Sequence, residues 1–193
     1  DTFYKPLGLQ RTTYLPNDRL STTNIAPTQN DKVFRKQLLK GYVHDEAAAL
    51  LGGVSGHAGL FSTAEEIGII MQMIMQEGIY NGKRFFNSRI VKDFTAAQYP
   101  EINNRRGIGF DKPNIENTEE GPVCTMASQS SFGHSGFTGC LAWADPEKQL
   151  VYVFLSNRIC PNAENTKLTK YNIRSDIHKA IYEAIETQNT DIE

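Results

Sequence analysis

The sequence has no surplus of positive charge: 20 Lys and Arg stand against 22 Asp and Glu over 193 residues, a formal net charge of -2. A surface that binds nucleic acid by neutralising phosphates needs a basic excess, so nucleic acid is not an expected partner. Long apolar runs are lacking too. The longest, from Ile67 to Met75, is interrupted by Gly68 and Gln72 and is far shorter than the ~20 residues that span a bilayer. Cysteine is scarce. Cys124, Cys140 and Cys160 are odd in number and without Cys-x-x-Cys spacing, which indicates neither a disulfide framework nor a zinc knuckle. The four histidines, His44, His57, His134 and His178, include no pair at helical ligand spacing, so no metal is expected. The chain opens Asp1-Thr2-Phe3 with no initiator methionine, signal peptide or basic leader, as a processed product or an excised piece would.

Two enzyme motifs fail in the same way. Gly133-His134-Ser135-Gly136-Phe137 and Gly53-Val54-Ser55-Gly56-His57 both lack the final glycine of the α/β-hydrolase elbow. No glycine cluster has the strand-to-helix offsets of a P-loop or a dinucleotide fingerprint, so no cofactor is expected.

What is present is enough apolar material for one core, with 39% hydrophobic and 22% charged residues, and a single domain is the expectation. Residues 1–40, rich in Pro, Thr and Asn, read as an extended covering segment with a short helix around Val33 to Leu39. The glycine-rich run Leu51 to Leu60 reads as a special loop, in which chain or ligand can approach closely. Ser62 and Glu65 form a capping-box pattern before Ile67, Ile70, Met71 and Ile74, predicting a helix that stops at Gly78. A second helix is predicted from Asn87 or Ser88, with Ile90, Val91 and Phe94 facing inward. Strands are predicted at Gly107 to Phe110, Cys124 to Ser128, Gly139 to Ala144 and Leu150 to Ser156, the last two as a hairpin about Asp145-Pro146-Glu147-Lys148. Ile173, Ile177, Ala180, Ile181, Ala184 and Ile185 predict a closing amphipathic helix, and Trp143 is expected in the core.

The chemistry concentrates in Phe132-Gly133-His134-Ser135-Gly136-Phe137-Thr138-Gly139. A strand edge of small residues can aim a backbone N–H at a developing oxyanion, an effect commonly worth ~3 kcal/mol of barrier. The same residues also suit a Gly-rich turn in which His134 is merely hydrogen-bonded.

His134-Ser135-Gly136 resembles the Lys-Thr-Gly triad of the serine β-lactamases and penicillin-binding proteins, in the form with histidine first that occurs among esterase-like relatives of class C enzymes. Three further blocks are similar to that family's in the same order. They are Phe3-x-x-Pro6-Leu7-Gly8-Leu9, Gly59-Leu60-Phe61-Ser62-Thr63-Ala64-Glu65-Glu66 and Leu155-Ser156-Asn157-Arg158. Val43-His44-Asp45 and Gly56-His57-Ala58-Gly59 also resemble the β-lactamase-like modules attached to family 3 glycoside hydrolases.

The resemblance implies an α/β fold of the α+β type, a β-lactamase/transpeptidase-like antiparallel sheet flanked by helices. It implies that residues 1–193 form the C-terminal portion of one such domain, incomplete because the nucleophile-bearing segment lies upstream. No serine here is followed three residues later by lysine, and no Tyr-x-Asn or Ser-x-Asn occurs. By resemblance His134 takes the triad lysine's place, holding a proton or a substrate carboxylate, and Ser135 offers a hydroxyl to substrate. Gly136 keeps the strand open, and the N–H of Phe137 is one of two oxyanion donors. Asn162 and Arg158 are candidate substrate contacts, although loop solvation explains Asn162 and acidic neighbours explain Arg158 equally well.

The implied parent is a serine hydrolase acting on small-molecule, ester, amide or peptide substrates, peptidoglycan-like ones included, in the periplasm or cell envelope. The alternative is a non-catalytic or self-associating module that binds through the cleft or an exposed sheet edge.

Overall fold

The computed structural model of the chain describes residues 2–114 and 121–190. In chain order its elements begin β1 (Pro27–Asp31), β2 (Gln37–Lys40), α1 (Glu46–Leu50), α2 (Ala64–Met75), β3 (Ile79–Tyr80) and β4 (Lys83–Arg84). They continue α3 (Ser88–Thr95), β5 (Phe132–Ser135), β6 (Leu141–Asp145), β7 (Leu150–Phe154), α4 (Lys167–Lys170) and α5 (Ile173–Thr190). Helices and small antiparallel sheets together give the mixed α/β class that the sequence implied. No helix among the described residues is long and apolar enough to cross a membrane.

The fold divides into two compact units. The first gathers the described residues of Asp1–Ile67, Gly136–Cys140 and Leu155–Lys167. In it β1 and β2 pair antiparallel, Asp31 opposite Gln37. The short helix predicted around Val33 to Leu39 is absent, for a local reason. The buried Asp31 carboxylate accepts the N–H groups of Val33 at 3.0 Å, Phe34 at 2.9 Å and Arg35 at 3.0 Å, and Lys36 turns left-handed at φ 52°. Donors that would have opened a helix are bound by a side chain instead, and the chain reverses into a hairpin.

The predicted cap of α2 lies one residue later than Ser62. Thr63 Oγ1 accepts the N–H of Glu66, whose own carboxylate turns away to Gln10 N at 2.8 Å, Arg11 N at 2.9 Å and Thr12 Oγ1 at 2.6 Å. The early covering segment is thereby pinned to the start of a helix, with Leu7 and Leu9 buried beside it.

The second unit gathers the described residues of Gly68–Ser135, Leu141–Phe154 and Leu168–Glu193. Its sheet has the order β5-β6-β7, antiparallel throughout, with Gly133 opposite Trp143 and Trp143 opposite Tyr152. The predicted hairpin is therefore present, closed by Gln149 at φ 50°. Trp143, Leu141, Tyr152 and Tyr182 pack with Val123, Cys124 and Ala127 as the core.

Asp145, at the end of β6, is buried and fully engaged. It accepts from Ser128 N and Oγ, Glu147 N, Lys148 N and the Tyr182 hydroxyl. That pairing sets the roll of α5. Its buried face is His178 and Tyr182, whereas Ile173 and Ile177, predicted to face inward, are exposed.

Similarly α3 begins at its predicted cap Asn87, but only Val91 is buried while Ile90 and Phe94 face solvent. The strands predicted at Gly107 to Phe110 and Cys124 to Ser128 do not form. The second is a turn whose Ser128 N–H goes to Asp145, and the first is followed by a single bridge, Asp111 to Gly133.

Candidate functional site

β5 carries His134 and Ser135 on a strand that only glycine permits. A Cβ at Gly133 would lie 2.2 Å from the Ala142 carbonyl oxygen and 2.4 Å from the Trp143 ring. On its other side Gly133 exchanges two backbone bonds with Asp111, at 2.7 and 3.0 Å. Phe132 and Gly133 are buried, whereas His134, on the same strand, is exposed.

The buried Asp111 carboxylate receives Arg105 in a two-point bond, Nε at 2.8 Å and Nη2 at 3.1 Å. Arg106 Nη2 stands 3.7 Å from the same carboxylate, and Arg106 Nη1 donates to His134 Nε2 at 3.0 Å. A guanidinium has donors only, so His134 Nε2 is the acceptor. The imidazole N–H then sits on Nδ1 and donates to the Ser135 carbonyl at 2.8 Å. The permanent cation beside His134 is Arg106. Two guanidinium groups against one carboxylate leave one net positive charge at this strand.

The second cluster lies in the other unit. Gly136 N–H donates to the Cys140 carbonyl at 2.8 Å, and Gly139 N–H to the Gly136 carbonyl at 2.9 Å, which shapes residues 136–140 as a tight turn. Within it the N–H of Phe137 has no hydrogen-bond partner among the described residues. A Cβ at Gly136 would meet nothing closer than 3.8 Å, so the space above this glycine is open.

The Phe137 ring, 63% exposed, stacks on His44 at 4.9 Å and 6°, and the Arg158 guanidinium lies 4.9 Å from its centre. His44 is held in turn. Gln29 bonds its Nδ1, and Arg35 donates to the carbonyls of Val43 and His44 at 2.5 and 2.8 Å. Burial, and then the charge of Arg35, push the His44 pKa down, so a neutral ring faces Phe137. Arg35 also anchors on Asp31 at 2.9 Å, and that bond is the main reason the Asp31 carboxyl is held far below the usual range.

Among the described residues no acidic side chain pairs with Arg158. Its N–H donates to the Thr138 carbonyl at 3.0 Å and its Nη1 to the Asn165 carbonyl at 3.0 Å. Asn162 spends its side-chain oxygen on the N–H of Glu164 at 2.9 Å, on the wall of an open groove also lined by Gln29, Asp31 and Glu46.

The structure thus brings His134 together with Arg106, and Phe137 together with Arg158 and His44. Sequence reasoning missed Arg105, Arg106 and the positioning part of His44. Arg106 lies 28 residues before His134. The only signal available was a pair of adjacent arginines shortly before a buried aspartate.

The sequence profile described as Beta-lactamase matches residues 1–174. A relative from Escherichia coli (strain K12), provisionally named a D-alanyl-D-alanine carboxypeptidase, is 34% identical over 170 residues, which cover 82% of this chain and 38% of that protein. A relative of the same provisional name from Salmonella typhi is 34% identical over 179 residues, 86% of this chain and 41% of that protein. The chain spans about two fifths of the length of these curated relatives. A crystal structure of a β-lactamase from Mycobacterium bovis superposes with a TM-score of 0.57 at 17% identity, over 95% of this chain and 54% of that one. By its sequence this chain belongs to the β-lactamase family, and it shares that family's fold.

Proposed function

We propose that the complete protein is a serine hydrolase of the penicillin-recognising type, transferring an acyl group from an ester, amide or peptide to water. This chain supplies the side that receives the substrate's oxygen and carboxylate. The carrying observation is Arg106, in a loop, bonded to His134 on β5, a permanent cation at the strand where the family places a lysine. The unpartnered Phe137 N–H supports the oxyanion assignment, since a donor kept free of internal bonds is ready for a developing charge.

The relatives' name points to a substrate ending in D-alanine, whose free carboxylate suits the guanidinium of Arg106. Ser135 offers its hydroxyl to the same group. The nucleophile and its base belong to a segment outside these 193 residues, which contain no Ser-x-x-Lys, so the chain alone does not turn over such a substrate. The envelope is the fitting compartment for peptidoglycan-like substrates.

The test is hydrolysis of an ester reporter and of a D-alanyl-D-alanine peptide by the complete protein, with Ser135→Ala and His134→Ala. Both variants are expected to lower kcat/KM by about tenfold or more. Unchanged values in both would sink the assignment.

A second reading, a self-associating module, draws on β7. Leu150–Phe154 is an apolar strand paired only to β6 among the described residues, which leaves one edge available. A monodisperse monomer in light scattering would remove it.

A further inference from the structure

The loop from Val43 to Gly59 holds a Ser-His-Asp constellation that the reading above does not use. We propose that Ser55, with His57 as its base and Asp45 as the group orienting that base, is a second acylatable serine, open to small activated esters of aliphatic acids.

The geometry is local and complete. Asp45 caps α1, its Oδ1 accepting the N–H of Ala48 at 2.7 Å, so its position is fixed by the helix. The same oxygen lies 3.0 Å from His57 Nε2. Bonding to Ala48, and next to His57, holds the Asp45 carboxyl below its usual range and keeps it an acceptor. A neutral His57 therefore places its single N–H on Nε2 and presents a lone pair at Nδ1. Ser55 Oγ stands 2.7 Å from that nitrogen. This is the order nucleophile, base, orienting carboxylate, with the two ring nitrogens exchanged relative to the familiar triad.

The backbone supplies what a triad also needs. Tyr14 donates its hydroxyl to the Ser55 carbonyl at 3.1 Å, fixing the serine's own peptide. The loop folds closely on itself, since a Cβ at Gly59 would lie 2.4 Å from the Gly53 carbonyl oxygen. The residue after the serine is Gly56, whose N–H has no partner among the described residues and around which a Cβ would meet nothing within 4 Å. A free N–H directly after a nucleophile, with open space above it, is where an oxyanion can be received. Leu51 and Val54, exposed and shortly before the serine in sequence, suit an aliphatic acyl group rather than a charged one.

In the reaction the Ser55 Oγ–carbonyl carbon bond forms as the hydroxyl proton passes to His57 Nδ1. The ester C–O bond then breaks, and the departing oxygen takes that proton as an alcohol. Water repeats the sequence on the acyl-serine and releases the carboxylic acid. No metal, oxidant or cofactor enters.

The 193-residue chain is itself the test object. It is incubated with an alkyl fluorophosphonate, which forms an O–P bond to an activated serine with loss of hydrogen fluoride, and is read by intact mass and peptide mapping. One adduct on the peptide containing Ser55 is expected. Ser55→Ala should abolish it, and His57→Gln should slow it by about tenfold or more. Circular dichroism reports whether each variant is folded, and if Ser55→Ala is not, His57→Gln and Asp45→Asn decide alone. No adduct, an adduct confined to another residue, or an unchanged rate in folded His57→Gln would overturn the proposal. The family's own nucleophile plays no part in the outcome, so a negative result leaves the proposed function standing.

Discussion

His178 lies flat against Tyr152, ring centroids 4.7 Å apart and planes 11° from parallel, with both ring nitrogens buried and unpartnered among the described residues. Tyr182 closes the cage edge-on at 4.9 Å. Burial pushes the His178 pKa down to about 4, although Asp145 draws it the other way. The folded value is thus below the unfolded one of about 6.5, so the unfolded chain binds the proton more tightly. The stability this group contributes is fully present above about pH 6.5 and is lost as pH falls toward 4, a loss of about 3 kcal/mol. Urea unfolding at pH 7 and pH 4.5 measures it. His178→Phe should flatten the slope, and a slope unchanged in that variant would assign the acid sensitivity elsewhere.

Tyr182 offers a second route into the same core. Its hydroxyl donates to Asp145 at 2.5 Å, and burial followed by that carboxylate pushes the phenol pKa far up. Asp145 is driven upward by burial, but bonds from Tyr182 and Ser128 outweigh this and hold it below its usual range. Tyr182→Phe keeps the ring and deletes the donor, so a cost of about 1.5–3 kcal/mol is expected, the scale of a hydrogen bond to a buried charge. The acid limb of the stability curve should also shift to higher pH, because the carboxylate loses its strongest partner. Denaturant midpoints across pH 4 to 7 would show both effects.

Gly133 is the position where β5 tolerates least. With a Cβ 2.2 Å from the Ala142 oxygen and 2.4 Å from the Trp143 ring, neither backbone nor buried indole can yield. Gly133→Ala should cost about 2–4 kcal/mol and displace His134. Trp143 is the sole tryptophan, so its fluorescence reports the disturbance directly. Gly136→Ala, whose Cβ would find only ordinary contacts, should leave both stability and fluorescence near the parent values.

The contrast between these two glycines shows how far the sequence could be read. The family membership and the β6–β7 hairpin were legible because several short motifs follow in order and two apolar strand segments flank a turn within a few residues of each other. What was not legible depends on side chains capturing backbone groups. Asp31 diverts three N–H groups and turns a predicted helix into a hairpin. Asp145 takes the Ser128 N–H, where a strand had been expected, and through Tyr182 it rolls α5 away from its isoleucine stripe. Periodicity registers apolar spacing and is blind to such buried carboxylates. Arg106 was hidden for another reason. Its partner is far along the chain, and no spacing rule joins an arginine in a loop to a histidine on a strand.

Arg106 therefore gives the last prediction. In the proposed site it keeps its charge at every accessible pH, whereas an imidazole in the lysine's place would be charged only when protonated. Two outcomes separate these cases in the complete protein. If Arg106 greets the carboxylate, KM for a peptide ending in a free carboxylate should stay nearly flat between about pH 6 and 8. Arg106→Gln should then lower kcat/KM for that peptide by about 10- to 100-fold, the effect of removing a charge-assisted hydrogen bond, and lower it much less for the same peptide capped as an amide. If His134 holds the carboxylate, KM should rise steeply with pH over that range. Equal losses for capped and uncapped peptides would show that Arg106 only braces the strand, through His134 and Asp111, and that the carboxylate is met by another group.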